Sequence, residues 1–157
     1  MNKNYQIRPV NKVDIAGLKK VLDSSELFPS EFLDDMISEY LNNPSSEEIW
    51  FTYTVDQIPV GLGYCAPEKL TNGTFNLYAI AVNQEAQGQG IGHKMMEYIE
   101  NLLIEKGHRI LIVETSSLDH YALTRKFYEK LGYHKEAVIR DFWNEGEDKV
   151  IFWKKLI

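Results

Sequence analysis

Between Val82 and Met96 an apolar, strand-like pattern gives way to a helical one through three glycines at alternate positions: Gln87-Gly88-Gln89-Gly90-Ile91-Gly92-His93. Glycine has no Cβ, so positive φ and close approach of a ligand are open at these positions. The N–H groups of the helical turn that follows have no partner of their own. Those donors, with the partial positive charge of the helix end, suit a phosphate or diphosphate. Spacing excludes two familiar phosphate motifs. A dinucleotide fingerprint beginning at Gly88 requires glycine where His93 stands, and a Walker loop requires Gly-Lys-Ser/Thr where the chain has Gly92-His93-Lys94.

The loop resembles the acetyl-CoA loop of the GNAT superfamily of N-acetyltransferases, whose pattern Gln/Arg-x-x-Gly-x-Gly/Ala is met by Gln87, Gly90 and Gly92. Two further stretches carry the resemblance in the same order. Leu77-Tyr78-Ala79-Ile80-Ala81-Val82 is similar to the strand that precedes this loop, and Phe127-Tyr128-Glu129-Lys130-Leu131-Gly132-Tyr133 resembles the Phe-Tyr-x-x-x-Gly-Phe/Tyr signature. The resemblance implies an α/β fold of a single domain spanning residues 1–157. Its mixed, mostly antiparallel twisted sheet would have parallel, splayed fourth and fifth strands, with helices on the flanks. It also implies acetyl-CoA as cosubstrate, no metal, and direct acetyl transfer in a ternary complex to a primary amine of a small molecule or peptide.

Roles for individual residues follow from the same resemblance. Gln87, Gly88, Gln89, Gly90, Ile91, Gly92 and His93 would hold the diphosphate, while backbone groups of Ile80, Ala81 and Val82 would meet pantetheine and the thioester oxygen, an oxyanion-hole role. Tyr128 fills the position of a tyrosine that gives a proton or hydrogen bond to the departing sulfur. A phenol of pKa about 10 and a thiol of about 8.5 favour hydrogen bonding over full transfer. The helical spacing puts Tyr128 on a stripe with Tyr121 and Arg125, away from a core stripe of Phe127 and Leu131. An alkylamine acceptor of pKa about 10.4 needs a base. Histone-acetylating relatives carry glutamate where this chain has Asn76, so Glu114, on the face of Ile110 and Ile112, is the expected base, with its pKa raised toward about 7 by partial burial. Thr115, Ser116 or a backbone amide could instead satisfy it. The missing carboxylate at position 76 leaves room for a non-catalytic acyl-CoA sensor of the same fold.

Composition narrows the classes. The 157 residues are 44% hydrophobic and 25% charged, with no apolar run near the roughly 20 residues of a membrane helix. The first residues lack the apolar core of a secretory signal, and the expected location is cytoplasmic. A single cysteine, Cys65, excludes an internal disulfide and reads as inert packing. The four histidines show no metal-ligand spacing. The net charge of −6 argues against a broad nucleic-acid surface and is compatible with a cationic substrate. An exposed edge strand could support a homodimer.

These groups need elements to position them. A first strand over Tyr5–Val10 is confined to an edge by Pro9. Val13, Leu18, Val21 and Leu22 form one helical stripe, and after a cap at Ser30, Phe32, Leu33, Met36, Ile37, Tyr40 and Leu41 form another. The link between these helices carries Glu26 and Phe28, read as an ordinary connection with one apolar anchor although substrate contact is the other option. Ile49–Val55, Val60–Ala66 and Phe75–Val82 read as a meander, with Gly61 and Gly63 marking a bulge or close backbone approach. A helix with Ile91, Met95, Tyr98, Ile99, Leu102 and Leu103 buried ends at Gly107. A strand at Ile110–Val113, parallel to the fourth, precedes a helix over 120–131 and two strands, 137–143 and 150–153, across which Trp143 and Trp153 would pack.

Overall fold

A computed structural model describes residues 2–157. Seven strands form one mixed sheet in the order β1-β2-β3-β4-β5-β7-β6. The strands are β1 (Tyr5–Pro9), β2 (Ile49–Val55), β3 (Ile58–Pro67), β4 (Thr74–Val82), β5 (Ile110–Ser116), β6 (His134–Asn144) and β7 (Glu147–Lys155). The helices are α1 (Ile15–Ser25), α2 (Leu33–Asn42), α3 (Ile91–Glu105) and α4 (Ala122–Lys130). Among the described residues no helix is long and apolar enough to cross a membrane. Packing divides the chain into two compact units, one running to Ala66 and resuming over Tyr78–Asn101, the other comprising Pro67–Leu77 and Leu102–Ile157.

In the first unit β1 is the edge strand that Pro9 predicts, antiparallel to β2 from Tyr5↔Val55 to Pro9↔Phe51. β2 and β3 form a hairpin over Asp56 and Gln57, both at positive φ, with a register shift between Tyr53 and Thr54. Gly63 is glycine because the Phe51 ring covers it: a Cβ there would lie 2.1 Å from the ring. The core joins Leu18, Val21 and Leu22 of α1 and Leu33 and Ile37 of α2 to Val10, Trp50, Leu62 and Ala81, with Phe28 packed against it as an apolar anchor. Two expectations fail at the helix entries. Val13 and Phe32 are exposed, because each lies in a 3-10 turn ahead of its helix, whose different angular spacing points it outward. Ser30 lies inside the second of these turns and caps nothing.

In the second unit β4 and β5 run parallel, paired over Thr74–Leu77 and Ile110–Val113. β5 continues antiparallel to β7, with Glu114↔Ile151 and Ser116↔Lys149, and β7 pairs with β6. Gly107, at φ 81, ends α3 in a Schellman arrangement, His108 N–H donating to the Leu103 carbonyl at 2.9 Å. β6 is exposed along its length. Trp143 and Trp153 do not pack on each other across the hairpin; Trp143 meets Phe142 edge-on, and Trp153 lies beside His134. The strands are longer than the sequence pattern suggests because an exposed edge strand needs no apolar alternation to pair.

Candidate active site

In the first unit β4 ends at Val82 and the chain enters the glycine loop through a short 3-10 turn, Gln84–Ala86. Ser24 of α1 fastens this entry: its hydroxyl donates to Asn83 Oδ1 at 2.9 Å and accepts from the Gln84 N–H at 2.8 Å. Gln87 folds back so that its Nε2 donates to the Val82 carbonyl at 3.1 Å. Gly88 and Gly90 both take φ 79, and a Cβ on either would meet nothing within 4 Å. The loop therefore needs glycine for its left-handed backbone, and open space lies before it. The first helical bond is Lys94 N–H to the Gly90 carbonyl at 3.1 Å, which leaves the N–H groups of Ile91, Gly92 and His93 without intrahelical partners. His93 is exposed at this end, and the side chains of Ala79, Ala81 and Ile91 are buried.

The second unit gathers a polar cluster on one face. Glu114 is ion-paired with Lys149, Oε2 to Nζ 3.0 Å, and its Oε1 accepts from Asn76 Nδ2 at 3.0 Å. The same Nδ2 donates to Glu68 Oε1 at 2.8 Å. Carboxylates only accept, so the two of them fix which way the Asn76 amide faces. Asn76 is fully buried, and its Oδ1 lacks a hydrogen-bond partner. Lys149 Nζ also lies 4.0 Å from the centroid of the Phe142 ring. Arg125 of α4 ties down the end of β5, its Nη1 donating to the carbonyls of Ser116 at 2.6 Å and Leu118 at 2.8 Å.

Tyr128 is buried, 2% exposed, against Phe127, Tyr133 and Phe152. This corrects the expected stripe: Tyr128 is the buried residue of α4, whereas Phe127 and Leu131 are only half-buried. Spacing alone does not say which of two neighbouring stripes of a nine-residue helix faces inward. Burial pushes the phenol pKa well above its ordinary value. Cys65 is likewise buried and its thiol pushed up. Among the described residues no group of three or more His, Cys, Asp or Glu side chains is arranged to hold a metal ion.

A model of the acetyltransferase (GNAT) domain matches residues 45–135, more than half of the chain. The chain belongs to the GNAT acetyltransferase family. An uncharacterized N-acetyltransferase of Methanocaldococcus jannaschii is 28% identical over 86 residues, 53% of either chain. The chain spans about half the length of the curated relatives it matches. A crystal structure of a Desulfovibrio desulfuricans protein assigned to the GNAT family superposes with a TM-score of 0.89 at 26% identity, covering 99% of this chain and 100% of that one. An aminoglycoside 6'-N-acetyltransferase complexed with coenzyme A has the same fold, with a TM-score of 0.79 at 22% identity over 97% of each chain.

For a GNAT chain, the sequence pointed to Gln87–His93, Ile80–Val82, Tyr128 and Glu114; of the strand residues, Ala81 is buried, Ile80 is half-buried and the Val82 carbonyl accepts from Gln87. The sequence missed Asn76 as the donor that orients Glu114, Glu68 as the second acceptor of that amide, and Lys149 as the counter-ion of Glu114. An amide at an inward position of an otherwise apolar strand was the available signal for Asn76. Nothing in the sequence links Ser24 to Asn83, 59 residues apart.

Proposed function

We propose that the protein is an acetyl-CoA-dependent N-acetyltransferase acting on a primary amine of a small molecule or peptide by direct attack in a ternary complex. The observation that carries this reading is the loop before α3, where Gly88 and Gly90 sit in left-handed conformations facing open space and three helix N–H groups stand free of helical bonds. That arrangement fits a diphosphate, and the structural neighbour complexed with coenzyme A supports the same cosubstrate.

In this reading Gln89, Gly90, Ile91, Gly92 and His93 hold the diphosphate through backbone N–H groups, and Gln87 acts indirectly by bracing the loop against Val82. Backbone groups of Ile80 and Ala81 take the pantetheine chain and steady the thioester oxygen as negative charge develops there. Glu114, held by Asn76, takes the proton that an ammonium must lose before it can attack. The buried Tyr128 phenol keeps its proton and hydrogen-bonds the leaving sulfur.

Calorimetry with acetyl-CoA, with dephospho-CoA and ATP as controls, followed by thiol release against a panel of amines, tests the proposal. Acetyl-CoA binding with release on adding an amine is expected. Binding with no release from any amine would leave an acyl-CoA-binding module, and absence of binding would remove the reading of the loop.

A further inference from the structure

Within the first unit a cleft of about 450 Å³ opens beside the glycine loop, lined by the start of β1, the β2–β3 hairpin, the loop itself and the first turn of α3. Its apolar lining is Val55, Val60, Ile91 and the buried Tyr53, and the Tyr5 ring lies 6.2 Å from that of Tyr53, tilted by 52°. Two ammonium groups complete it, those of Lys3 and Lys94, and among the described residues neither is ion-paired. Glu85 also lines the cleft, which leaves a local excess of one positive charge on a chain whose net charge is −6.

Backbone bonds fix the walls. Asn4 donates its N–H to Asp56 Oδ1 at 2.9 Å, and the Asp56 N–H donates to the Asn4 carbonyl at 2.8 Å, so the segment carrying Lys3 and Tyr5 is tied to the hairpin. The Asn83 N–H donates to the Val60 carbonyl at 2.8 Å and ties the loop to β3. A cleft held in this way is pre-formed, and an occupant pays little to order it. Its volume falls within the roughly 300–1,000 Å³ of small-molecule pockets. Gly88 and Gly90 are not among its lining residues, which separates it from the proposed diphosphate cradle.

We propose that this cleft binds a small organic anion, an aryl carboxylate whose ring covers the apolar lining and whose charge is answered by the Lys3 and Lys94 ammonium groups. Two unpaired cations against one carboxylate favour an anion over an amine, and the aliphatic and aromatic lining favours an apolar body over a bare inorganic ion. Asn83, Gln89 and Ile91 belong both to the cleft and to the segment that leads into α3. An occupant therefore touches the loop and alters its affinity for acetyl-CoA; this linkage, unlike the site, rests on the acetyl-CoA reading.

The test is calorimetry of the full chain with naphthylacetate, with naphthylacetamide as the uncharged analogue of the same shape. Naphthylacetate is expected to bind saturably, with a Kd of about 1 mM or tighter for a ligand of this size, and the amide more weakly. Lys3→Met and Lys94→Met keep an apolar stem and remove the charge; each should raise the Kd about two- to fivefold, the scale of an exposed ion pair, and the double variant more. Both lysines are exposed, so melting temperatures should match wild type. Absence of saturable binding, equal binding of the amide, or a double variant that binds like wild type would overturn the site. Acetyl-CoA titrated at saturating naphthylacetate reads the linkage: a changed affinity supports it and an unchanged one overturns it. Failure of acetyl-CoA to bind at all, with naphthylacetate still bound, would remove the cosubstrate reading and the linkage and leave the anion site standing.

Discussion

Tyr128 and Glu114 occupy contrasting surroundings, and those surroundings decide what each can do. The phenol is enclosed by Phe127, Tyr133 and Phe152, and burial raises its pKa, so it remains a neutral donor throughout the physiological range. Glu114 is half-buried and held by one amide and one ammonium. Tyr128→Phe preserves the ring packing and removes only the donor. Turnover should fall about a hundredfold, while acetyl-CoA affinity measured by calorimetry stays nearly unchanged; equal loss of both would show that the hydroxyl serves binding rather than the chemical step. Because the phenol titrates above its usual value of about 10, any alkaline loss of wild-type turnover that begins below that pH must come from another group, and Tyr128→Phe should retain it. At this scale the sequence names candidates and is silent about their surroundings. Helical spacing put Tyr128 off the core, yet its ring is the one that α4 buries, and no local pattern reveals that Asn76 and Lys149 converge on Glu114 while Glu68 shares the Asn76 amide.

Elements were legible where their periodicity is long and unambiguous. The antiparallel β2–β3 hairpin, the parallel β4–β5 pair and the Gly107 helix stop all follow from alternation, crossover length and turn chemistry. Helix entries were misread because a 3-10 turn breaks the 3.6 period just where an amphipathic stripe begins, and this is also where a bidentate ionic latch lies. Between β1 and α1, Asp14 is 3% exposed and takes two bonds from Arg8, Nη1 at 2.7 Å and Nη2 at 2.9 Å, plus the Asn11 N–H at 2.7 Å. The Arg8 guanidinium, opposed by burial and aided by the Asn11 amide, holds this carboxyl below its ordinary pKa. Asp14→Asn leaves the partly buried guanidinium without its counter-charge and should cost roughly 3 kcal/mol, read as a melting temperature lower by about 6–12 °C. The pH dependence has a definite sign. A depressed folded-state pKa contributes stability above the unfolded value of about 3.9 and loses it as pH falls through the folded value. The gap between wild type and Asp14→Asn should therefore be full near neutral pH and close on acidification below about pH 4; a gap unchanged at low pH would assign the loss to packing instead.

Across the whole molecule, composition carried information that no single contact holds. The meander and the parallel fourth and fifth strands followed from short connections and one crossover, but the insertion of β7 between β5 and β6 and the reach of both strands did not, since pairing on an outer strand leaves little hydrophobic signature. The net charge of −6 acts on both proposed substrates at once and in opposite senses. Acetyl-CoA is a polyanion, so the long-range field of the protein opposes its approach, and only the short-range donors of the α3 N-terminus favour it. A cationic amine is drawn in by the same field. Salt shortens the Debye length from about 30 Å at 0.01 M to about 8 Å at physiological ionic strength, which weakens the long-range term for both partners while leaving contact hydrogen bonds largely intact. With any amine that supports thiol release, raising KCl across that range should lower the KM for acetyl-CoA and raise the KM for the amine, each by a few-fold. If both constants rose together, local cationic contacts to the phosphates would outweigh the overall field; if the amine constant stayed flat, the acceptor would be bound as the neutral species or by apolar contact, and net charge would have no part in its selection.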